Sequence, residues 1–379
     1  MATIVQDTAG TGTILSTQFD HEVDSKKKRV YRDSKFLVAS RRLSKHRSCD
    51  SIPVYWYEQD ELDRWDAVQA NTASATTTFS IGSIEKAVLH GIIVVKSSLE
   101  QMRIVSIGIN SVVKVMRRVG GGTQKSLKAG TSIYFASRAY PDGAQLATEQ
   151  WLNPTRKVNY NQFFKRAIDI TRGAARSKMY TGKTKAERHV EEMFGIKKDV
   201  EGAFIFGKPA TSVDADGQNV TQTGGILHWA GTTSSIKSIN QAALTSYLET
   251  LCEAEGSNRK LCIASGIHLR HFDYMKSNKL IIEPSEHLLD ISIGRFRTSF
   301  CEIEIINGMH VLKDGFADYM LFVDEANYEV TVFQDLGVNE DVVKDGHSGE
   351  TDQWEYWCGL KMWNSNSHGY VYGTTAYKA

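Results

Sequence analysis

The stretch TKAERHVEEMFGIKKDVEGAFIFGKP, residues 184–209, decides how the rest of the chain is read. Val190, Met193, Phe194, Val200 and Phe204 lie on one helical face, and Glu187, Glu191, Lys197 and Lys198 supply a polar one. That pattern predicts a long amphipathic helix. Gly195 and Gly202 weaken it by about 1 kcal/mol each relative to Ala, so packing has to support it. Gly207 followed by Pro209 is a stop signal.

Downstream, Ile236, Ile239, Ala243, Tyr247, Leu248 and Leu251 predict a second helix over residues 234–255, with Thr233 or Ser234 as N-cap and Gly256 just past its end. A buried strand is expected at 261–264 and a short helix around 267–275. Cys301, Ile303 and Ile305 alternate with Glu302 and Glu304, and Asn307-Gly308 reads as a hairpin turn. Further strands are expected at 319–323, 328–332 and 354–362. Upstream, residues 76–137 are β-branched and punctuated by glycine, including Gly120-Gly121-Gly122, which predicts a small antiparallel sandwich or barrel. Helices and sheets are mixed without a repeating βαβ unit, so the fold class is α+β. There is no internal repeat.

The chain has 379 residues, enough for two or three structural units, and its 41% apolar and 23% charged residues exclude global disorder. The longest apolar run, residues 319–323, is far short of a membrane span. The first twenty residues lack the apolar region of a signal peptide, and a cytoplasmic site of synthesis is expected. Five scattered cysteines with no CxxC spacing are expected to be reduced, buried small hydrophobes.

Near-neutral total charge conceals a local asymmetry. Residues 26–47 hold ten Lys or Arg against one acid, Asp33, so that window carries nine net positive charges and the remainder eight negative. Next comes an acidic, aromatic stretch with Tyr55, Trp56, Tyr57, Glu58, Asp60, Glu61, Asp63, Trp65 and Asp66, which would strand carboxylates if packed into a monomer core. Both segments read as extended arms. Opposite charges on adjacent arms, with exposed Tyr and Trp, fit subunit interfaces. The candidate assembly contacts are Lys26, Arg29, Arg41, Arg42, Lys45, Arg47, Glu58, Asp60, Glu61 and Asp63.

The catalytic motifs dissolve on inspection. Thr181-Gly182-Lys183-Thr184 ends like a phosphate loop, but Ser177 stands where the first glycine belongs. Gly122-Thr123-Gln124-Lys125-Ser126 has Gln124 in place of the second glycine. His268 and His271 could share a metal but lack further ligands at the right spacing, and read as surface or interfacial histidines. Gly346-His347-Ser348-Gly349 has the wrong spacing for a nucleophile elbow, and Glu283, Glu286 and His287 read as a loop and helix start. No catalytic residue, cofactor or metal site is expected.

In their order, these segments resemble the tailed-bacteriophage major capsid proteins, of the Hong Kong 97-type fold also seen in herpesvirus floors, and in particular the branch with a β-rich insertion in its extended loop. Residues 51–70, with Trp56, look like the start of the extended loop, and residues 115–123 match the insertion. Residues 159–164 and 168–173 look like the lead into the spine helix, which closes in Glu201-Gly202-Ala203-Phe204-Ile205-Phe206-Gly207. Gly224-Gly225-Ile226-Leu227 is the usual return, and residues 353–369 are similar to the closing segment.

The resemblance implies an N-terminal arm over 1–50, an extended loop with insertion over 51–155, a peripheral domain over 156–232 and 326–379, and an axial domain over 233–325. It implies a non-enzymatic structural protein that assembles into hexamers and pentamers as an icosahedral shell around double-stranded DNA. The DNA is contacted without sequence readout, and no membrane partner is expected. Portal, scaffolding and cement proteins are the implied partners, the virion the implied location, and the bacterial host cytoplasm the place of assembly. An encapsulin-like compartment shell, a nucleotide-binding enzyme through Gly182-Lys183-Thr184, and a DNA-binding protein built on the basic arm are the alternatives.

Overall fold

A computed structural model describes residues 34–59, 61–121, 123–142, 152–171, 185–254, 256–277, 294–340, 342, 349–374 and 376–377. Two compact units share the chain: one comprises 1–56 and 157–379, the other 57–156. In chain order the elements begin with α1 (Lys35–Arg42), β1 (His46–Ser48) and β2 (Pro53–Glu58). Next are β3 (Trp65–Ala67), β4 (Thr78–Ser80), β5 (Gly91–Val95), β6 (Gln101–Ile107), β7 (Val112–Met116) and β8 (Ser132–Arg138). The chain continues with β9 (Thr155–Tyr160), β10 (Gln162–Thr171), the long helix α2 (Lys185–Phe206), β11 (Ala210–Val213), β12 (Asn219–Gln222) and α3 (Ile226–Trp229). After these come β13 (Thr232–Ser235), β14 (Ser238–Ile239), α4 (Gln241–Glu253), β15 (Arg259–Ala264) and α5 (Gly266–Ser277). The remaining strands are β16 (Gly294–Arg297), β17 (Glu302–Asn307), β18 (Met320–Asp324), β19 (Tyr328–Asn339), β20 (Gly349–Met362), β21 (Gly369–Tyr372) and β22 (Ala376–Tyr377).

The unit 57–156 is an antiparallel sheet in the order β3-β8-β5-β6-β7-β4. A bridge between Val68 and Ile81 joins its two edges and closes it into a small barrel. Burial alternates along β5, and Ile93, Val95, Met102, Ile104, Val113 and Ile133 fill the interior without exposure, as a half-buried strand requires. The buried Arg117 guanidinium pairs with Glu100 at 2.7 Å and donates to the carbonyls of Ser74 and Lys125, both at 2.6 Å, pinning the loops to the barrel.

In the other unit, a six-stranded sheet runs β13-β21-β18-β15-β17-β16 and a four-stranded sheet runs β1-β19-β20-β10. The six-stranded sheet is covered on both faces. Leu261, Ile263, Leu321 and Val323 point into the core around α2, while Cys262, Ala264, Met320 and Phe322 point into the core under α4. This two-sided burial makes 261–264 and 319–323 continuous apolar runs.

Asn307-Gly308 does not form the expected hairpin. β17 pairs parallel to β15, and β18 pairs antiparallel on the other side of β15, so the turn starts a crossover between them. A dipeptide favours a turn but does not choose the neighbouring strand; packing on both faces does. The second helix also starts later than expected. Residues 232–235 form a strand parallel to β21, and α4 begins after Asn240, whose Oδ1 accepts the Ala243 N–H at 2.8 Å.

Candidate functional site

The long helix α2 positions the first candidate surface. Its C-terminal half enters the core through Ile196, Val200, Phe204 and Ile205, all without exposure. Its N-terminal half is instead held by charge: Lys185 reaches Asp352 at 2.9 Å, His189 Nε2 lies 2.8 Å from the same carboxylate, and Arg166 pairs with Glu192 at 3.0 Å while also reaching Asp199 in the C-terminal half at 2.8 Å. Val190, expected on the apolar face, is therefore 41% exposed. Gly195 leaves room for this pairing, since a Cβ there would lie 2.5 Å from an Arg166 nitrogen. Gly225 lets the backbone pass close to the helix end, where a Cβ would meet the Phe204 and Ala203 carbonyl oxygens at 2.6 and 2.7 Å.

The described part of the basic segment is not an extended arm. Residues 35–42 form α1, whose apolar face drives the helix onto its own subunit. Phe36 is fully buried between Phe204 and Tyr328, with ring centroids at 6.4 and 5.9 Å, and Leu37 and Ala39 are buried beside it. The Phe36 N–H donates to the buried Glu201 Oε1 at 2.9 Å, and Glu201 Oε2 lies 2.7 Å from His310 Nε2. β1 then pairs parallel to β19. The cations face outward. Arg41 is 3.8 Å from Asp335 and Arg47 is 4.0 Å from Glu329, with half or more of each Arg side chain exposed. Lys45 lies over the Tyr328 ring at 5.8 Å. Burial and the nearby Arg41 lower His46 to about 4. Lys26, Arg29, Asp60 and the Arg42 side chain lie outside the described residues.

The acidic, aromatic stretch is also only partly open. Trp56 is buried against Trp229 at 5.2 Å, whereas Tyr55 and Tyr57, its strand neighbours on the opposite face, are exposed. Asp66 is not stranded, because it accepts the Ala67 and Ser83 N–H groups at 2.8 and 2.9 Å. Glu58 is half-buried and Glu61 exposed, and the exposed Asp63 is 3.5 Å from Lys86. What remains available is Arg41 and Arg47 on one unit, and Glu61, Asp63, Tyr57 and Trp65 on the other.

One charged network missed in the sequence sits inside the six-stranded sheet. Lys260 Nζ lies 2.5 Å from Asp324 Oδ2, both side chains fully buried, and His368 Nδ1 accepts the Asp324 N–H at 3.0 Å. Burial raises the Asp324 carboxyl, but the Lys260 ammonium and the Ser257 and Ala326 N–H groups hold it below its usual value. Burial lowers His368 to about 4. The only advance signal was one charge flanking each of two apolar strands, Lys260 before 261–264 and Asp324 after 319–323, which is also the mark of an exposed strand end.

His268 and His271 are buried rather than superficial, at 1% and 4% exposure. Their rings lie 6.2 Å apart between centroids on α5, and His268 Nδ1 lies 2.7 Å from the Ser265 hydroxyl, which itself donates to the Ala317 carbonyl. Burial lowers His268 to about 4. Among the described residues no three His, Cys, Asp or Glu side chains form a metal-binding group, and no helix is long and apolar enough to cross a membrane. Gly182-Lys183-Thr184, Glu283, Glu286, His287 and residues 346–348 lie outside the described residues.

No curated protein matches the sequence. Among solved structures, the chain is similar to the capsid of a native GTA particle, at 11% identity and a TM-score of 0.46, covering 98% of this chain and 100% of that one. It is similar to a protein of Mycobacterium phage Bobi at 10% identity and a TM-score of 0.48, covering 96% and 97%. It is also similar to the holo-SrpI encapsulin complex of Synechococcus elongatus at 10% identity and a TM-score of 0.44, covering 60% and 79%. The sequence matches the family model described as SU10 major capsid protein over residues 32–375. That match takes in nearly the whole chain, from just before α1 to β21, and so the chain belongs to the SU10 major capsid protein family.

Proposed function

We propose that the chain is a Hong Kong 97-type shell subunit that assembles into hexamers and pentamers around double-stranded DNA. The observation that carries this reading is the family match over residues 32–375. Residues 1–50 serve as the N-terminal arm, 51–155 as the extended loop with its barrel insertion, 156–232 with 326–379 as the peripheral domain, and 233–325 as the axial domain. Heterologous contacts that close as rings generate the capsomers. α1, docked through Phe36, fixes the described start of the basic segment on its own subunit.

Arg41 and Arg47 on one subunit meet carboxylates such as Glu61 and Asp63 on another, and Tyr57 and Trp65 supply apolar contact area. Contact with packaged DNA is electrostatic and carries no sequence readout. Assembly takes place in the host cytoplasm with scaffolding and portal proteins, and cement proteins bind the finished virion shell.

The test is electron microscopy and light scattering of the expressed full chain, unsubstituted and as Arg41→Glu with Arg47→Glu. Both side chains are largely exposed with long ion-pair distances, so the subunit should lose less than about 1 kcal/mol per pair. We expect shells from the unsubstituted chain and folded, unassembled capsomers or subunits from the variant. Normal shells from the variant refute the charge-driven contact. Failure of the unsubstituted chain to assemble, with or without a scaffold, refutes the shell reading.

A further inference from the structure

The antiparallel pairing of the barrel strands puts three loops at one end: residues 68–77 between β3 and β4, 96–100 between β5 and β6, and 117–131 between β7 and β8. A buried ion pair ties them together. Arg117, from the third loop, pairs with Glu100 of the second and donates to the Ser74 carbonyl of the first. Thr72 and Leu127 form a further bridge between the first and third loops, and the Lys125 N–H donates to Glu100 Oε2 at 3.3 Å. The three loops therefore share one fixed base.

The surface on that base is cationic. Glu100 is the only acid in the three loops, and it is neutralised by Arg117 with both side chains buried. Lys96, Arg118, Lys125 and Lys128 are exposed, and none of the three lysines is in an ion pair among the described residues. The opposite end of the barrel carries Glu85 and, in the lead into β3, Glu61 and Asp63, so charge is separated along the barrel. The basic end also carries the exposed Ser97, Thr123 and Ser126. Gly121 and Gly130 turn at positive φ, and a Cβ on either would meet nothing within 4 Å, which leaves the backbone open to close approach.

We propose that this loop end of the barrel binds the phosphodiester backbone of duplex DNA, with each exposed lysine displacing counterions at a phosphate and the hydroxyls adding hydrogen bonds. It rests on the shell reading for the source of the DNA, and gives the electrostatic contact a place on the subunit. Composition selects this ligand over a second protein surface. Protein interfaces are enriched in aromatic residues and depleted in Lys, whereas these loops have three exposed lysines, no aromatic residue, and Leu99 as the one large exposed apolar side chain among their described residues. The lack of aromatic rings also disfavours single strands, which bind through base stacking. Gln124 denies Lys125 and Ser126 the spacing of an enclosed nucleotide loop, but a contact along an open backbone needs no such loop.

The test is a salt titration of duplex DNA binding by the full chain as free subunits, unsubstituted and as Lys96→Gln with Lys125→Gln and Lys128→Gln. A chain with Lys198→Gln, Lys208→Gln and Lys313→Gln is the charge-matched control, since these three lysines are exposed on the other unit. Losing three phosphate contacts should flatten the log–log salt slope by about 2.7, so that between about 50 and 200 mM salt the unsubstituted chain loses about 40-fold more affinity than the variant. The control should keep the unsubstituted slope. In the unsubstituted chain, bound DNA should shield Lys96, Lys125 and Lys128 from acetylation while Lys198, Lys208 and Lys313 still react, a readout that does not depend on how a variant folds. An unchanged slope in the variant, an equal loss in the control, or equal acetylation of the three barrel lysines with and without DNA would each overturn the proposal. A variant that binds DNA normally but no longer assembles would make this end a protein interface and overturn it too. The shell reading is decided separately, by assembly of the unsubstituted chain.

Discussion

Replacing Phe36 by Ala should release α1 from the long helix while the rest of its unit stays folded. α1 has eight residues, and isolated helices shorter than about 12–15 residues are marginal in water, so docking has to hold it. The Phe36 ring is completely buried against Phe204 and Tyr328. A buried aromatic ring covers roughly 150–250 Å², which at about 25 cal/mol per Å² sets an upper range of about 4–6 kcal/mol. Measured Phe-to-Ala truncations cost about 3–5 kcal/mol. Leu37 and Ala39 cannot make up that loss against the backbone entropy of eight ordered residues, at about 1–2 kcal/mol each. A loss of about 4 kcal/mol changes a local opening equilibrium by roughly 10³. Hydrogen–deuterium exchange should show protection over residues 35–42 reduced by two to three orders of magnitude, with residues 196–205 still protected. Unchanged exchange over 35–42 would refute the reasoning, because α1 would then be held by something other than this ring.

Other perturbations test the interior. Asp324→Asn leaves the fully buried Lys260 ammonium without its counter-charge, and urea titration should show a loss of about 3–5 kcal/mol, more than Lys260→Met with Asp324→Leu together. Gly225→Ala drives a Cβ to 2.6 Å from a backbone oxygen at the end of α2, and a thermal melt should show about 1–3 kcal/mol of destabilisation from overpacking. Burial holds His368 and His268 at about 4, against 6.5 for an unperturbed imidazole, so between those values the unfolded chain binds protons that the folded chain does not. Stability should be full above about pH 6.5 and fall toward pH 4 by up to about 1.4 kcal/mol per pH unit for each histidine, and a flat urea midpoint over that window would contradict the assignment. Titrating the purified chain with a nucleoside triphosphate should give no binding isotherm, and one abolished by Lys183→Ala would revive the nucleotide-binding reading.

Much of this was legible from local pattern. The 3.6-residue period with Gly207 and Pro209 located the long helix almost to the residue, and the β-branched spacing between 76 and 137 announced a small antiparallel sandwich or barrel, of which the structure shows the barrel. Both signals are local, since a helix face and a strand pleat each repeat within a few residues. The order of those elements also carried the family resemblance, which the match over residues 32–375 bears out.

What the tertiary structure alone decided are the questions that depend on neighbours far along the chain. Pattern could not tell that β15 would lie between β17 and β18, because Asn307-Gly308 specifies a turn and not a partner strand. Nor could it show that Phe36 would dock α1 on its own subunit, since a short apolar face beside ten cations reads as a solvated arm until Phe204 and Tyr328 are in place. Lys260 with Asp324, and Phe36 with Tyr328, are pairs separated by about sixty residues or more. Such partners are chosen by three-dimensional packing, and no periodicity in a linear chain records it.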